Sequence, residues 1–276
     1  MKRVVILVSV LLTLLASTAW AQQTAGKEDA RHHKPVYYDT FKEEWLDPAK
    51  WSVSSGPCGY WSPGLECVRE IQNGHLRLEI RVFGATDSDY GSQGWGAELD
   101  FVNPNTINSI TADITQRSFR GIGCSTNDTD LTSTQVKIGG NFFNTGTGDP
   151  ADDFQALLLA WVATIDPKTM SVNYWNNQGG AAFVDNYPIG TPLTGTIAWD
   201  KANHQFICVV KVRGDPGPGK QVVVPYPVSD TTPPASPQKT LAIQAGSLNC
   251  TSAKTFAQVE AFYDNVIINQ PPPHAE

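Results

Sequence analysis

Hydrophobic and polar residues alternate along most of this chain with a period of two. In GHLRLEIRVF the apolar positions Leu76, Leu78, Ile80 and Val82 are separated by His, Arg, Glu and Arg. That is the pattern of a strand with one face in a core and one in water. The same reading places strands at Val36–Phe41, GAELDFV, INSITADITQ, STQVKIGGNFF, FQALLLAWVAT, TMSVNYWN, LTGTIAWD, HQFICVVKVR, KTLAIQAG and FAQVEAFYDNVIIN. Gly, Asn, Asp and Pro stand in nearly every gap, and Asn73-Gly74 is a strong two-residue hairpin signal. FQALLLAWVAT is apolar on both faces, which suits a central strand covered on both sides. No segment holds a helical period over three turns. The pattern predicts an all-β protein: a two-sheet antiparallel sandwich of the jelly-roll kind.

Two segments break the pattern. Residues 1–21 combine a basic start (Lys2, Arg3), an apolar run from Val4 to Ala16 and the small-x-small sequence Ala19-Trp20-Ala21. They read as a signal peptide, and the apolar run is shorter than the ~20 residues that span a bilayer. Residues 22–34 read as a flexible leader, with His32-His33 in a polar tail. Residues 214–238 carry seven prolines between two strands and read as a long, stiff surface loop. Residues 35–270 then form a single jelly-roll domain, and 271–276 a tail. An exported protein, secreted or periplasmic, follows.

Charge and cysteines narrow the function. The net charge is −7, and removing residues 1–21 takes two cations with it. An acidic chain argues against nucleic acid and anionic membrane surfaces as partners. Five cysteines in an exported chain predict disulfides. Cys58 and Cys67 bracket the loop GPCGYWSPGLEC, which a bridge would staple. Cys124 and Cys250 lie in turn-like surroundings and are paired next. Cys208 shares a strand face with Phe206 and Val210 and reads as a buried free thiol.

Several residues carry candidate chemistry. Glu98 and Asp100 share one face of a strand, about 7 Å apart at roughly 3.4 Å per residue. Paired carboxylates cleave glycosidic bonds, but that chemistry needs one of them to protonate the leaving group. With Ala97, Leu99 and Phe101 pointing inward, the pair reads as the wet side of a strand. Aromatic rings stack on sugar faces, and the candidates are Tyr60, Trp61, Trp95, Trp161 and Trp175. Trp51 and Trp199 read as core. GTGDPADDFQ gathers Asp149, Asp152 and Asp153, whose oxygens could suit Ca2+. Glu66, Glu70 and Glu260 lack a partner motif, and His75 and His204 read as solvent-facing.

In order along the chain, YDTFKEEWLDPAKWSV, IQNGHLRLEIR and AFYDNVIIN resemble the opening strand, early hairpin and closing strand of the concanavalin A-like lectin/glucanase superfamily. The resemblance implies a concanavalin A-like jelly roll with carbohydrate bound across a concave sheet. It implies a structural Ca2+ held by Asp39 and Asp264. Laminarinase-like members carry E-x-D-x-E, but after Glu98-Leu99-Asp100 this chain has Val102 or Asn103 where the final acid belongs. The resemblance therefore implies a non-catalytic carbohydrate-binding or cell-surface-binding domain whose partner is a polysaccharide or surface glycan. The alternatives are a divergent glycoside hydrolase using Glu98 and Asp100, and a structural or adhesive envelope protein without sugar specificity.

Overall fold

A computed structural model describes residues 36–52, 64–124 and 132–271. The expected signal peptide and leader, and the expected site residues Cys58, Tyr60 and Trp61, lie outside the described residues, as does nearly all of the expected tail. The strands are β1 (Trp51–Ser52), β2 (Leu65–Gln72), β3 (His75–Phe83), β4 (Ser92–Phe101), β5 (Ser109–Ile122), β6 (Ser133–Asn144) and β7 (Asp153–Ala163). They continue as β8 (Asp166–Asn176), β9 (Ala181–Pro188), β10 (Leu193–Asp200), β11 (Gln205–Val212), β12 (Lys220–Pro225), β13 (Lys239–Leu248) and β14 (Phe256–Ile268). They form two seven-stranded antiparallel sheets, in the orders β1-β4-β13-β6-β7-β8-β9 and β12-β11-β10-β5-β14-β3-β2. This is the two-sheet antiparallel jelly-roll sandwich that the alternating pattern predicts.

The core lies between the sheets. Ala97, Leu99 and Phe101 of β4, Leu241, Ile243 and Ala245 of β13, and Val136 and Ile138 of β6 are buried on the inner face of the first sheet. Leu76, Leu78, Ile80 and Val82 of β3 and Val259, Ala261 and Tyr263 of β14 meet them from the second. Burying each such side chain is worth about 1.5–3 kcal/mol relative to exposure. The Asn73-Gly74 signal is realised: both residues have positive φ, 53° and 74°, and Gln72 faces His75 across the turn. A positive φ at both positions gives the primed turn that matches strand twist. Tyr263 crosses the core and donates its hydroxyl to the Ala242 carbonyl at 2.6 Å.

Two of the sequence expectations are corrected. The predicted Val36–Phe41 strand contracts to one bridge between Asp39 and Val266, and Phe41, with φ of 50°, turns the chain away. Residues 214–238 are not all loop, because Lys220–Pro225 pairs with β11 as the outer strand of its sheet. Proline is compatible with an edge strand, whose outward N–H groups need no partner. The C-terminal end of that segment is held by Asp153, which is 2% exposed. Its carboxylate accepts the Ala235 and Ser236 backbone N–H groups, both at 2.7 Å, and the Asn144 side-chain amide at 2.9 Å. Asp149 and Asp152 are spent locally, on the Ala151 N–H and the Thr147 hydroxyl. The three aspartates therefore brace a loop instead of gathering around an ion.

The expected Cys124–Cys250 disulfide is present, and Cys208 is a buried free thiol. Cys67 is half-buried on β2; its expected partner Cys58 is outside the described residues. Among those residues, no helix is long and apolar enough to cross a membrane.

One core residue is a lysine. Lys239 is 1% exposed, and its ammonium donates to the Pro104 and Asn141 carbonyls, both at 2.9 Å, and sits 4.5 Å above the Phe142 ring. Burial pushes its pKa down to about 7, while the two carbonyls and the ring favour the charged form. In the unfolded chain the same group titrates near the ordinary lysine value of roughly 10.4. Between those values the unfolded state binds more protons, so stability rises with pH in that window. The melting temperature is expected to climb from pH 7 to pH 9, and a Lys239→Met variant to show a flatter profile by scanning calorimetry. An equally steep climb in the variant would assign the effect elsewhere.

Candidate functional site

Strand register brings residues from six strands onto the outer face of the first sheet. Asp100 of β4 faces Thr240 of β13, which faces Gly139 of β6; Gly139 faces Leu157 of β7, and Leu157 faces Trp175 of β8. The next row reads Glu98, Ala242, Lys137, Leu159, Asn173 and Phe183. A third joins Gly96, Gln244, Gln135, Trp161 and Ser171. Side chains two residues apart in a strand share a face, so all three rows lie on one surface. From β4 to β8 is four strand spacings, roughly 19 Å at about 4.8 Å each.

The surface has a charged half and an aromatic half. In the charged half, the Gln238 amide donates to Glu98 Oε1 at 3.3 Å and to Asp100 Oδ1 at 3.2 Å. These two carboxyl oxygens are thus no further apart than the sum of those distances. Burial, and then the neighbouring Asp100, hold the Glu98 carboxyl above the ordinary range, against the pull of Lys137, Gln238 and Arg69. Burial also raises Asp100, with Gln238, Thr240 and Arg69 opposing. Lys137 is pushed down by burial, with Glu98 opposing, and its ammonium donates to Gln244 Oε1 at 3.0 Å. Arg69 reaches over from β2 and donates to the Glu98 backbone carbonyl at 2.9 Å. The pair is therefore half-buried and embedded in a polar network, which the wet strand face expected from sequence did not include.

In the aromatic half, Trp161 is half-buried, Trp175 is 36% exposed and Phe183 is 56% exposed. They occupy neighbouring strands β7, β8 and β9. Phe183 is absent from the sequence-based candidates because its strand lies at the sheet edge and carries little alternation. Trp95 belongs to neither half. It lies an odd number of residues from Glu98, so its side chain falls on the inner face, where it packs against the core. Trp51 is fully in the core as expected, and Trp199 packs on it with its indole N–H on the Tyr226 hydroxyl at 2.7 Å.

The expected Ca2+ ligands fit an ion poorly. Asp39 accepts the Phe41 N–H at 2.8 Å through one oxygen and the Trp51 indole N–H at 2.6 Å through the other. The Lys50 ammonium stands 3.9 Å away. These donors already place positive charge where a cation would sit. The Asp264 carboxylate instead stands 3.6 Å from His75 Nε2. Among the described residues, one cluster has metal-like spacing, Asp89 with Cys124 and Cys250. Its two sulfurs form the disulfide, and Asp89 accepts from Thr251.

No family model matches the chain, and no curated protein matches it significantly. Among solved structures it is similar to lectin II from Ulex europaeus, with 8% identity and a TM-score of 0.30 over 74% of this chain and 92% of that one. It is similar to the VIP36 exoplasmic/lumenal domain in its Ca2+- and mannose-bound form, with 7% identity and a TM-score of 0.33 over 76% and 90% of the two chains. It is also similar to the PL-14 alginate lyase from Aplysia kurodai, with 6% identity and a TM-score of 0.33 over 75% and 87%.

Proposed function

We propose that this chain is an exported carbohydrate-binding protein that lays a glycan across the outer face of the first sheet. The observation that carries this reading is the register that aligns Glu98, Asp100 and Lys137 with Trp161, Trp175 and Phe183 on one surface. Rings offer flat apolar faces for pyranose C–H groups, and the charged half offers donors and acceptors for hydroxyls. A width of roughly 19 Å at about 4.8 Å per strand accommodates an extended oligosaccharide, not a single ring. The acidic balance of the chain disfavours a nucleic acid in the same place.

Affinity electrophoresis through gels cast with plant, algal and bacterial polysaccharides tests this. At least one neutral glycan is expected to retard the purified chain, and Trp175→Ala and Trp161→Ala to abolish the retardation. A Tyr60→Ala/Trp61→Ala variant tests the same role for the Cys58–Cys67 loop. Since Asp39 is satisfied by protein donors, the same retardation is expected with Ca2+ and with EDTA. Retardation by no glycan would favour the structural or adhesive reading.

A divergent hydrolase is the second reading. It is favoured by one observation, the pair of raised carboxyls held together by Gln238. A carboxyl kept above the ordinary range is a better proton donor near neutrality. Release of reducing ends from the retarded glycan, lost in Glu98→Gln, would establish it. Binding without release leaves the non-catalytic reading standing.

A further inference from the structure

The second sheet carries a cavity of about 380 Å3 on its own outer face, between His75, Asp113, Arg117, Arg213, Phe262 and Asp264. Its floor is again built by register. Thr194 of β10 faces Asp113 of β5, which faces Asp264 of β14; His75 of β3, which faces Gln72 of β2, stands with its Nε2 3.6 Å from the Asp264 carboxylate. The β5–β14 pairing is irregular on both sides of the floor, between Glu260 and Ala261 and between Asp264 and Ile267. Such bulges re-aim side chains and are common beside binding sites. At the first, Gln116 faces Ala261 and Ser118 faces Glu260, leaving Arg117 as the extra residue, with its guanidinium 5.6 Å over the Phe262 ring. At the second, Asn265 takes a positive φ of 50° and donates its side-chain amide to Asp113 Oδ2 at 2.8 Å. The Thr194 hydroxyl donates to the other Asp113 oxygen at 2.6 Å.

Two features of this cavity point to a ligand. First, neither the Arg117 nor the Arg213 guanidinium donates a hydrogen bond to a described residue: Arg117 stacks over Phe262 and Arg213 acts on Asp264 through charge alone, so the N–H forks of both remain open to an oxyanion. Second, the remaining lining suits a polyhydroxylated ring: Asp264, Gln72, Asn73 and Thr115 offer hydroxyl partners. A volume of about 380 Å3 far exceeds what an inorganic anion needs. Two carboxylates in the same cavity repel a dianion such as sulfate or phosphate more than a single carboxylate. We infer that this cavity binds a carboxylate-bearing sugar, a hexuronate, with Arg117 and Arg213 on the carboxylate and the acidic floor on the hydroxyls. It lies on a different sheet from the proposed glycan surface, so either can fail alone.

Calorimetric titration of the full chain with galacturonate, galactose and inorganic sulfate tests this. Galacturonate is expected to saturate one site, with galactose at least tenfold weaker. Arg213→Ala and Arg117→Ala are each expected to weaken galacturonate tenfold or more, and Arg213→Lys to restore part of that loss, since lysine keeps the charge without the fork. Trp175→Ala is expected to leave the affinity unchanged. Both arginines are solvent-exposed, so circular dichroism of the variants should match the parent. Galactose binding as tightly as galacturonate, or galacturonate indifferent to both alanine variants, would overturn the site. Sulfate binding as tightly as galacturonate would reduce it to an anion site and overturn the sugar assignment.

Discussion

Replacing Asp153 by alanine is expected to destabilise the sandwich by about 3–5 kcal/mol, the loss of roughly two hydrogen bonds to a buried charged group. The carboxylate is 2% exposed and takes three donors: the N–H groups of Ala235 and Ser236 and the Asn144 amide. Hydrogen bonds to a charged group are worth about 1.5–3 kcal/mol each, and of the three donors the Asn144 amide is the one on a buried residue. For a domain of this size, about 2–4 °C of melting temperature follows each kcal/mol, so a drop of roughly 10 °C is expected in a thermal scan. Asp153→Asn keeps one acceptor oxygen and is expected to lose less. A shift under about 2 °C for the alanine variant would mean that the loop is held some other way.

The second large effect concerns the disulfide. Cys124 and Cys250 are 126 residues apart, and cross-linking so long a loop removes much of the freedom of the unfolded chain. The chain-entropy account puts this at about 5 kcal/mol for a loop of that length, and engineered cases deliver less. Cys124→Ala/Cys250→Ala is expected to cost about 3–5 kcal/mol in denaturant unfolding, read as a lower midpoint with a somewhat steeper slope, since the uncross-linked unfolded chain exposes more surface. The two sulfurs pack with Leu248 and Ala253 in a small cluster apart from the main core, so little repacking is expected to offset the loss. An unchanged midpoint would show that the unfolded chain is already compact between these residues.

The central strands are legible in the sequence and the edges are not. β3, β4, β5, β6, β8, β10, β11, β13 and β14 show in the sequence as strand patterns, and β7 as a run apolar on both faces. The strands left unread, β2, β9 and β12, all stand at or form the sheet edges, together with the two-residue β1. An edge strand has one neighbour, tolerates proline and charge, and need not alternate cleanly. AAFVDNYP and KQVVVP therefore look like loop.

The candidate site was legible by halves. That Glu98 and Asp100 share a face follows from a period of two, and the same period places Trp95 on the other face, a signal present in the sequence. What the sequence does not carry is register. Glu98 meets Lys137 and Asn173 across Ala242 and Leu159, residues scattered over more than a hundred positions, and only the stacking order of the strands aligns them. The same holds for Asp113, Asp264 and His75 on the opposite sheet, where His75 had read as merely solvent-facing.

Cys208 sits in the middle of β11 with no exposed surface, and burial pushes its thiol far above the ordinary range. While the two sheets stay together no reagent meets that sulfur, and Cys124 and Cys250 are already oxidised. The sulfur therefore works as an internal clock. Where a thiol dye reacts faster than the sandwich recloses, the pace at which it finds this sulfur is the pace at which the sandwich comes apart, recorded by an atom the protein already owns.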